Sequence, residues 1–189
     1  MTTDKDNNIH ITWSNFVSDN YETYFRRSTN GGATWSGPKR LTWTSGETYA
    51  RDIAVDSFGA IHVIWDDETP GNFEVYRRKS TDGGTTWSPA QRLTWNSGDS
   101  RFPALAVDPS NSIHIAWHDY TPGNEEIYYK RSQDGGLTWG IAKRLTWTSE
   151  PSHYPARAVF ALDYIRGVWS EAAPGNFEIY GAGSEDRGT

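Results

Sequence analysis

The chain has 189 residues, no cysteine and a formal net charge of −6. That length carries a substantial core, the missing thiols exclude disulfides, thiolate metal sites and cysteine nucleophiles, and the acidic, interleaved charges lack the basic stripe of a nucleic-acid module. No stretch nears the ~18 apolar residues of a spanning helix, so neither nucleic acid nor membrane is expected as a partner. The opening Met1-Thr2-Thr3-Asp4-Lys5-Asp6 has no apolar core of a secretory signal. The compartment stays open, secreted or cell-surface if the chain is part of a longer protein.

One register runs through the sequence. Trp35, Trp87 and Trp139 stand 52 residues apart, each closing an eight-residue phrase: Ser28-Thr29-Asn30-Gly31-Gly32-Ala33-Thr34-Trp35, Ser80-Thr81-Asp82-Gly83-Gly84-Thr85-Thr86-Trp87, and Ser132-Gln133-Asp134-Gly135-Gly136-Leu137-Thr138-Trp139. Trp13, Trp65, Trp117 and Trp169 keep the same spacing, as do Tyr24, Tyr76, Tyr128 and Tyr180, and Trp43, Trp95 and Trp147. A period near 50 points to propeller blades or another repeated β unit. The expectation is one domain over 1–189, with copies at about 1–50, 51–102, 103–154 and 155–189.

The second copy gives the elements in order. Ile53-Ala54-Val55-Asp56 reads as a short strand, Ser57-Phe58-Gly59-Ala60 as a turn, and Ile61-His62-Val63-Ile64-Trp65 as a second strand of β-branched and aromatic residues. Asp66 to Asn72 is a loop with Pro-Gly-Asn turn chemistry. Phe73 to Lys79 alternates with period two as a third strand, and Ala90 to Trp95 is a fourth beyond the phrase. Four antiparallel strands per copy cannot bury both faces alone, so neighbouring copies must cover them. Asp4 aligns with Asp56 and Asp108, so the first copy is expected to lack its opening strand. The fold expected is an all-β propeller of four-stranded blades, about three and a half to four per chain. Either four blades close within the chain or copies of it assemble as a homo-oligomer into a larger ring, which removes exposed sheet edges.

The phrase Ser-x-Asp-x-Gly-x-Thr-Trp resembles the Asp box, or BNR repeat, of sialidases and other β-propellers. Ser28, Asn30, Gly32, Thr34 and Trp35 match it with Asn for Asp; Ser80, Asp82, Gly84, Thr86 and Trp87, and Ser132, Asp134, Gly136, Thr138 and Trp139, match throughout. In the fourth copy Ser184, Asp186 and Gly188 are kept, with Arg187 where the others have Gly. The resemblance implies a structural turn between the third and fourth strands, away from the binding face. The chemistry agrees: Asp accepts bonds from turn amides, the glycines admit φ > 0, and the Trp packs as an anchor. One carboxylate per box is too few for a Ca²⁺ cage.

Sialidase chemistry, as the resemblance implies it, needs an arginine triad, a Tyr/Glu pair and an Asp acid. Most arginines here follow the repeat; Arg51, Arg101 and Arg157 do not, yet they stand at non-equivalent positions and form no distinct triad. No catalytic residue is assigned. Paired carboxylates for another glycosidase are offered by Asp66, Asp67 and Glu68, and by Asp119, Glu125 and Glu126, against the reading that they are solvated loop residues. His10, His62 and His114 share one place in the second strand and read as core or inter-blade imidazoles hydrogen-bonded to a neighbour, with no obvious carboxylate partner at metal-ligand spacing, while His118 and His153 stand outside that column, nearer to loops, as weak binding candidates. Neither a metal nor a cofactor is expected.

The loops opposite the boxes hold Trp43, Trp95 and Trp147, with Asp66, Asp67, Asp119 and Arg101, which together suit a sugar: indoles for its apolar face, carboxylates and guanidinium for its hydroxyls. The alternative for the three tryptophans is packing between blades. The function expected is a non-catalytic propeller module taking a glycan or protein ligand. The alternatives are a sialidase-like glycoside hydrolase and an architectural fragment of a larger propeller.

Overall fold

The run Ile61-His62-Val63-Ile64-Trp65 is apolar without strict alternation, the pattern of a strand covered on both faces. In the computed structural model, which describes residues 1–156, 165–173 and 176–184, it forms a strand in which all seven residues from Ile61 to Asp67 are buried. Every regular element among the described residues is a strand. The first sheet is β1 (Thr2–Thr3), β2 (Ile9–Val17), β3 (Asn20–Ser28) and β4 (Lys39–Arg40); the second is β5 (Thr48–Val55), β6 (Ile61–Asp67), β7 (Glu74–Ser80) and β8 (Gln91–Arg92). The third is β9 (Ser100–Val107), β10 (Ile113–Asp119), β11 (Glu126–Ser132) and β12 (Lys143–Arg144), and the fourth is β13 (Ser152–Ala156), β14 (Ile165–Ala173) and β15 (Asn176–Ser184). Each sheet is an antiparallel meander in chain order.

Three details depart from the sequence reading. The first copy does have an opening strand, the stub Thr2–Thr3 paired with His10 and Ile9. The fourth strands shrink to two residues, although Leu41, Leu93 and Leu145 each still donate a backbone bond to the third strand. The opening strands are longer than expected, because the register slips between Ala50 and Asp52, between Ala116 and His118 on the partner of β9, and between His153 and Ala156. A bulge there interrupts the alternation by which a strand is recognised. Arg157, Phe160 and the Asp186-Arg187-Gly188 end of the fourth copy lie outside the described residues.

The chain divides into two compact units, Met1–Trp95 and Asn96–Thr189. In the first unit, Phe25 and Leu41 of the first sheet and its edge pack with Ile53, Ile61, Val63 and Trp65 of the second, flanked by Val55, Tyr76 and Trp87. Each fully buried side chain of this kind contributes about 1.5–3 kcal/mol relative to exposure. In the second unit Leu105, Ile113, Ile115, Trp117 and Ile127 are buried at the corresponding strands.

The eight-residue phrase closes the turn from third to fourth strand in three copies. Ser80 Oγ donates to Asp82 Oδ1 (2.8 Å) and accepts from the Gly84 amide (2.8 Å); Asp82 accepts the Thr86 amide (2.9 Å) and hydroxyl (2.6 Å); the Trp87 indole donates to the Gly84 carbonyl (3.1 Å). Ser132, Asp134, Gly136 and Thr138 repeat the first part of this pattern. In the first copy Asn30 accepts the Thr34 amide (2.8 Å) but must donate to the Thr34 hydroxyl (2.8 Å), reversing one bond so that the same loop survives without the charge. The bonds from Thr86 hold the Asp82 carboxyl down to about 2, and those from Thr138 hold Asp134 lower still.

The repeated histidines do have carboxylate partners, six residues upstream at the first turn. His10 meets Asp4 (3.0 Å), His62 meets Asp56 (3.1 Å) and His114 meets Asp108 (3.2 Å), all through Nε2. The same carboxylates accept the amides of Asn8, Ala60 and Ser112 across the turn. The pair therefore fastens the first turn to the core face of the second strand. Burial holds the His62 and His114 imidazoles below the usual histidine range, against the pull of Asp56 and Asp108. Neutral His114 then donates Nε2–H to Asp108 and accepts the Tyr129 hydroxyl at Nδ1 (2.8 Å). Burial works to raise the aspartates but is outweighed by their bonds, which bring Asp4 to about 2 and hold Asp56 and Asp108 below the usual range.

Unfolded histidines take up protons from about pH 6.5, and unfolded aspartates from about pH 4, whereas the folded groups resist both. The unfolded state therefore binds more protons on the acid side, and stability falls as pH drops below about 6.5. Thermal melts should show a declining Tm from pH 7.5 to 4.5, and the upper part of that decline should shrink in a His62→Gln/His114→Gln variant; an unchanged profile would assign it to other groups. Gly84 (φ +88°) lies against the Phe25 ring, where a Cβ would collide, while Gly31 (φ +68°) faces open space. Gly31→Ala should cost about 1–2 kcal/mol for its left-handed backbone, and Gly84→Ala about 1–3 kcal/mol more for overpacking, read as the gap between their denaturation midpoints.

Candidate functional site

Antiparallel strands put the fourth-to-first and second-to-third loops at the end of each sheet opposite the eight-residue turns. At that end one arrangement recurs in three sheets. Buried Glu22, Glu74 and Glu126 on the third strands accept bonds from Arg40 (2.7 Å), Arg92 (2.9 Å) and Arg144 (2.8 Å) on the fourth. Each guanidinium also donates Nε–H to the carbonyl two residues on, at 2.7 Å in all three. Held this way, the guanidinium carbons sit 5.5, 5.8 and 5.8 Å from the ring centres of Trp43, Trp95 and Trp147. Cation–π contact at an exposed site adds about 0.5–1 kcal/mol. It orients the indoles without burying them: they are 64%, 66% and 71% exposed. They are therefore not buried between sheets, although Arg78 of the second sheet also approaches the Trp43 ring at 5.9 Å.

The two loops at this end are bonded to one another. Glu68, Tyr120 and Ala172 donate their amides to the carbonyls of Glu47 (3.0 Å), Asp99 (2.9 Å) and Pro151 (3.0 Å). Gly46 and Gly98 permit it, since a Cβ at either would overlap the backbone of Glu68 and Thr69 or of Tyr120 and Thr121.

The aspartates expected beside the tryptophans are buried and committed to the fold. Asp66 forms a two-pronged ion pair with Arg51. Asp67 accepts the Thr69 amide (2.9 Å) and the Trp65 indole (3.3 Å), and Asp119 accepts Ser100 Oγ (2.8 Å), the Trp117 indole (3.0 Å) and the Thr121 amide (2.9 Å). They shape the loops, so the expectation that they meet a ligand moves to the exposed rings. Arg51 is absorbed by Asp66, and Arg101 lies over the Phe102 ring at 5.2 Å in the second unit.

In the second unit the structure brings together residues that the sequence leaves apart. His118 at the end of β10, Glu125 just before β11 and His153 on β13 offer ligand atoms all within 4.8 Å of one another. His153 Nδ1 is 2.7 Å from Glu125 Oε2, and the Tyr120 hydroxyl donates to Glu125 Oε1. Burial and that bond push the Tyr120 hydroxyl up to about 12, so it stays a donor. Phe102 meets the His118 ring edge-on at 4.9 Å and Tyr154 at 5.0 Å. These two aromatics occupy the bulges of β9 and β13 at φ +49° and +48°. Bulky residues held there cost of order 1–3 kcal/mol, a kind of strain that collects at functional sites.

The signal for this cluster lies in departures from the 52-residue register. Where the first copy has Ser14, Tyr21 and Tyr49 and the second Asp66, Phe73 and Arg101, the third has His118, Glu125 and His153. Tyr21 and Tyr49 are a ring pair 5.3 Å apart, replaced by the His153–Glu125 contact.

No protein-family model matches the sequence, and no curated protein sequence matches it either. Solved structures do. The chain is similar to a protein of unknown function from Dyadobacter fermentans (TM-score 0.74, 16% identity, 98% of this chain and 60% of that one). It is similar to the Hadza microbial sialidase Hz136 (TM-score 0.71, 13% identity, 97% of this chain and 43% of that one). It is also similar to a polysaccharide lyase, a PL25 ulvan lyase bound to a glucuronate–sulfated rhamnose saccharide (TM-score 0.67, 14% identity, 99% of this chain and 52% of that one). The chain thus spans less than two thirds of each of these proteins. Such likeness establishes the architecture, a sialidase-like β-propeller fold.

Proposed function

We propose that the chain is an Asp-box propeller segment that binds glycans through its exposed, arginine-backed tryptophans. The observation that carries this is the recurrence of one Glu–Arg–Trp arrangement with its indole open to solvent, at Trp43, Trp95 and Trp147. An indole of fixed orientation stacks on the apolar face of a sugar ring at little entropic cost. The closed Ser80-Asp82-Thr86-Trp87 turn supports the Asp-box assignment, and its bonds support a structural role for the box. The saccharide-processing neighbours support the ligand class. Repetition favours several weak equivalent contacts whose strength comes from multivalency, over one catalytic centre.

A second reading is a sialidase-like hydrolase, or a segment of a larger propeller with no ligand of its own. It is favoured by the 60% and 43% shares of the two propeller structures that the chain spans. Assembly of several copies into one ring belongs with that reading, and light scattering on the purified chain distinguishes a monomer from such an assembly.

A glycan array or glycan-bead pull-down should retain the wild-type chain. Trp43→Ala, Trp95→Ala and Trp147→Ala should each weaken retention about two- to tenfold, the loss expected from removing ~0.5–1.5 kcal/mol of stacking, with the multivalency built on it. Their Tm should stay within a few degrees, since the indoles are largely exposed. Retention on no sugar, or equal retention of the triple variant, would sink the glycan reading; turnover of a fluorogenic sialoside would favour the hydrolase.

A further inference from the structure

The cluster in the second unit has a chemistry that glycan stacking does not use. We infer that His118, Glu125 and His153 form a binding site for a borderline divalent transition-metal ion of the Zn²⁺ type, through two imidazole nitrogens and one carboxylate oxygen. Two histidines and one carboxylate are a three-ligand set that suits zinc and leaves a fourth position open. A single carboxylate with two nitrogens is a poor set for Ca²⁺ or Mg²⁺, which take oxygen ligands.

The geometry supports the assignment. Tetrahedral ligands at zinc bond lengths lie about 3.4 Å apart; Glu125 and His153 are at 2.7 Å, and no pair exceeds 4.8 Å. Closing the widest separation by at most ~1.4 Å is a side-chain rotation. Tyr120 holds Glu125 by Oε1 and leaves Oε2 toward the imidazoles, the outer-shell bond by which carboxylate ligands are commonly oriented. Phe102 lies edge-on to His118, and the half-exposed Tyr154 ring lies 6.0 Å from His118 and 5.6 Å from His153, so rings flank both histidines. Strands β9, β10 and β13 supply Phe102, His118, His153 and Tyr154, a stiff support for preorganised ligands, while Tyr120 and Glu125 lie in the short loop between β10 and β11.

The first unit supplies an internal control. At the same three places Ser14, Tyr21 and Tyr49 offer no comparable ligand set, and the junction of sheets is still closed, by the tilted Tyr21–Tyr49 ring pair and by Ser14 Oγ accepting the Ala50 amide (2.9 Å). Closing the sheets therefore does not require two histidines and a glutamate. Of the three sets of residues that the copies place there, the one in the third copy converges within metal-ligand reach, and an ion accounts for it.

Dialysis of the full chain against EDTA, followed by titration with Co²⁺ and Zn²⁺, tests the inference. One Co²⁺ per chain should give visible d–d absorption of four- or five-coordinate cobalt, displaced by one Zn²⁺, and Zn²⁺ should raise Tm. The variant His118→Ser/Glu125→Tyr/His153→Tyr, which installs the first unit's residues, should lose at least 100-fold in affinity, and Tyr120→Phe about 10-fold. Absence of a stoichiometric ion at micromolar concentration, or unchanged affinity in the triple variant, would overturn the assignment. Should the triple variant not fold, imidazole NMR of the wild type decides: Zn²⁺ must move His118 and His153, and shifts confined to His10, His62 or His114, or none, would refute it. Glycan retention by metal-free protein is read separately, so failure of one proposal leaves the other standing.

Discussion

A strand that is apolar on both faces must be covered twice, and the rest of this molecule is organised around that requirement. Ile61, Val63, Ile64 and Trp65 are all inaccessible on one strand, and a lone four-stranded meander has no second layer to offer them. In the first unit the cover comes from Phe25 and Leu41 of the preceding sheet. Duplicating the sheet thus solves the problem that each copy poses, and the near-absence of variation in repeat length follows, because one inserted residue would turn a strand's faces over.

The polar residues of the repeat are largely consumed in this scheme. The aspartate–histidine pairs fasten the first turns, the Ser–Asp–Thr bonds close the outer turns, and Glu22, Glu74 and Glu126 anchor the arginines. Removing one of those arginines costs about 3–5 kcal/mol because the buried glutamate charge is left stranded. Two kinds of group remain for function: the indoles that the repeat leaves in solvent, and the side chains by which one copy departs from the others.

The fold was largely legible because period and pattern were redundant: four copies of the same tryptophan column, three of the same turn, and β-branched second strands that survive any single misreading. The opening strands were not, since bulges at residue 51 and at 102 and 154 break the two-residue alternation that marks a strand. Of the site, the exposure of Trp43, Trp95 and Trp147 was not legible, because indoles on a repeat serve packing and binding alike. The partner of His62 is encoded only in a constant six-residue spacing from Asp56, which spans a turn and so falls outside any strand pattern. The meeting of His118 with His153 depends on contact between two sheets, which no local pattern encodes. Only misalignment with Ser14 and Tyr49 hinted at it.

The amides of Glu68 and Tyr120 bind the carbonyls of Glu47 and Asp99, and Gly46 and Gly98 clear the space for that embrace. In the Glu47–Glu68 pair the indole-bearing loop and its neighbour are consequently one mechanical body. Whatever lands on the Trp43 ring therefore loads the second sheet as well as the first.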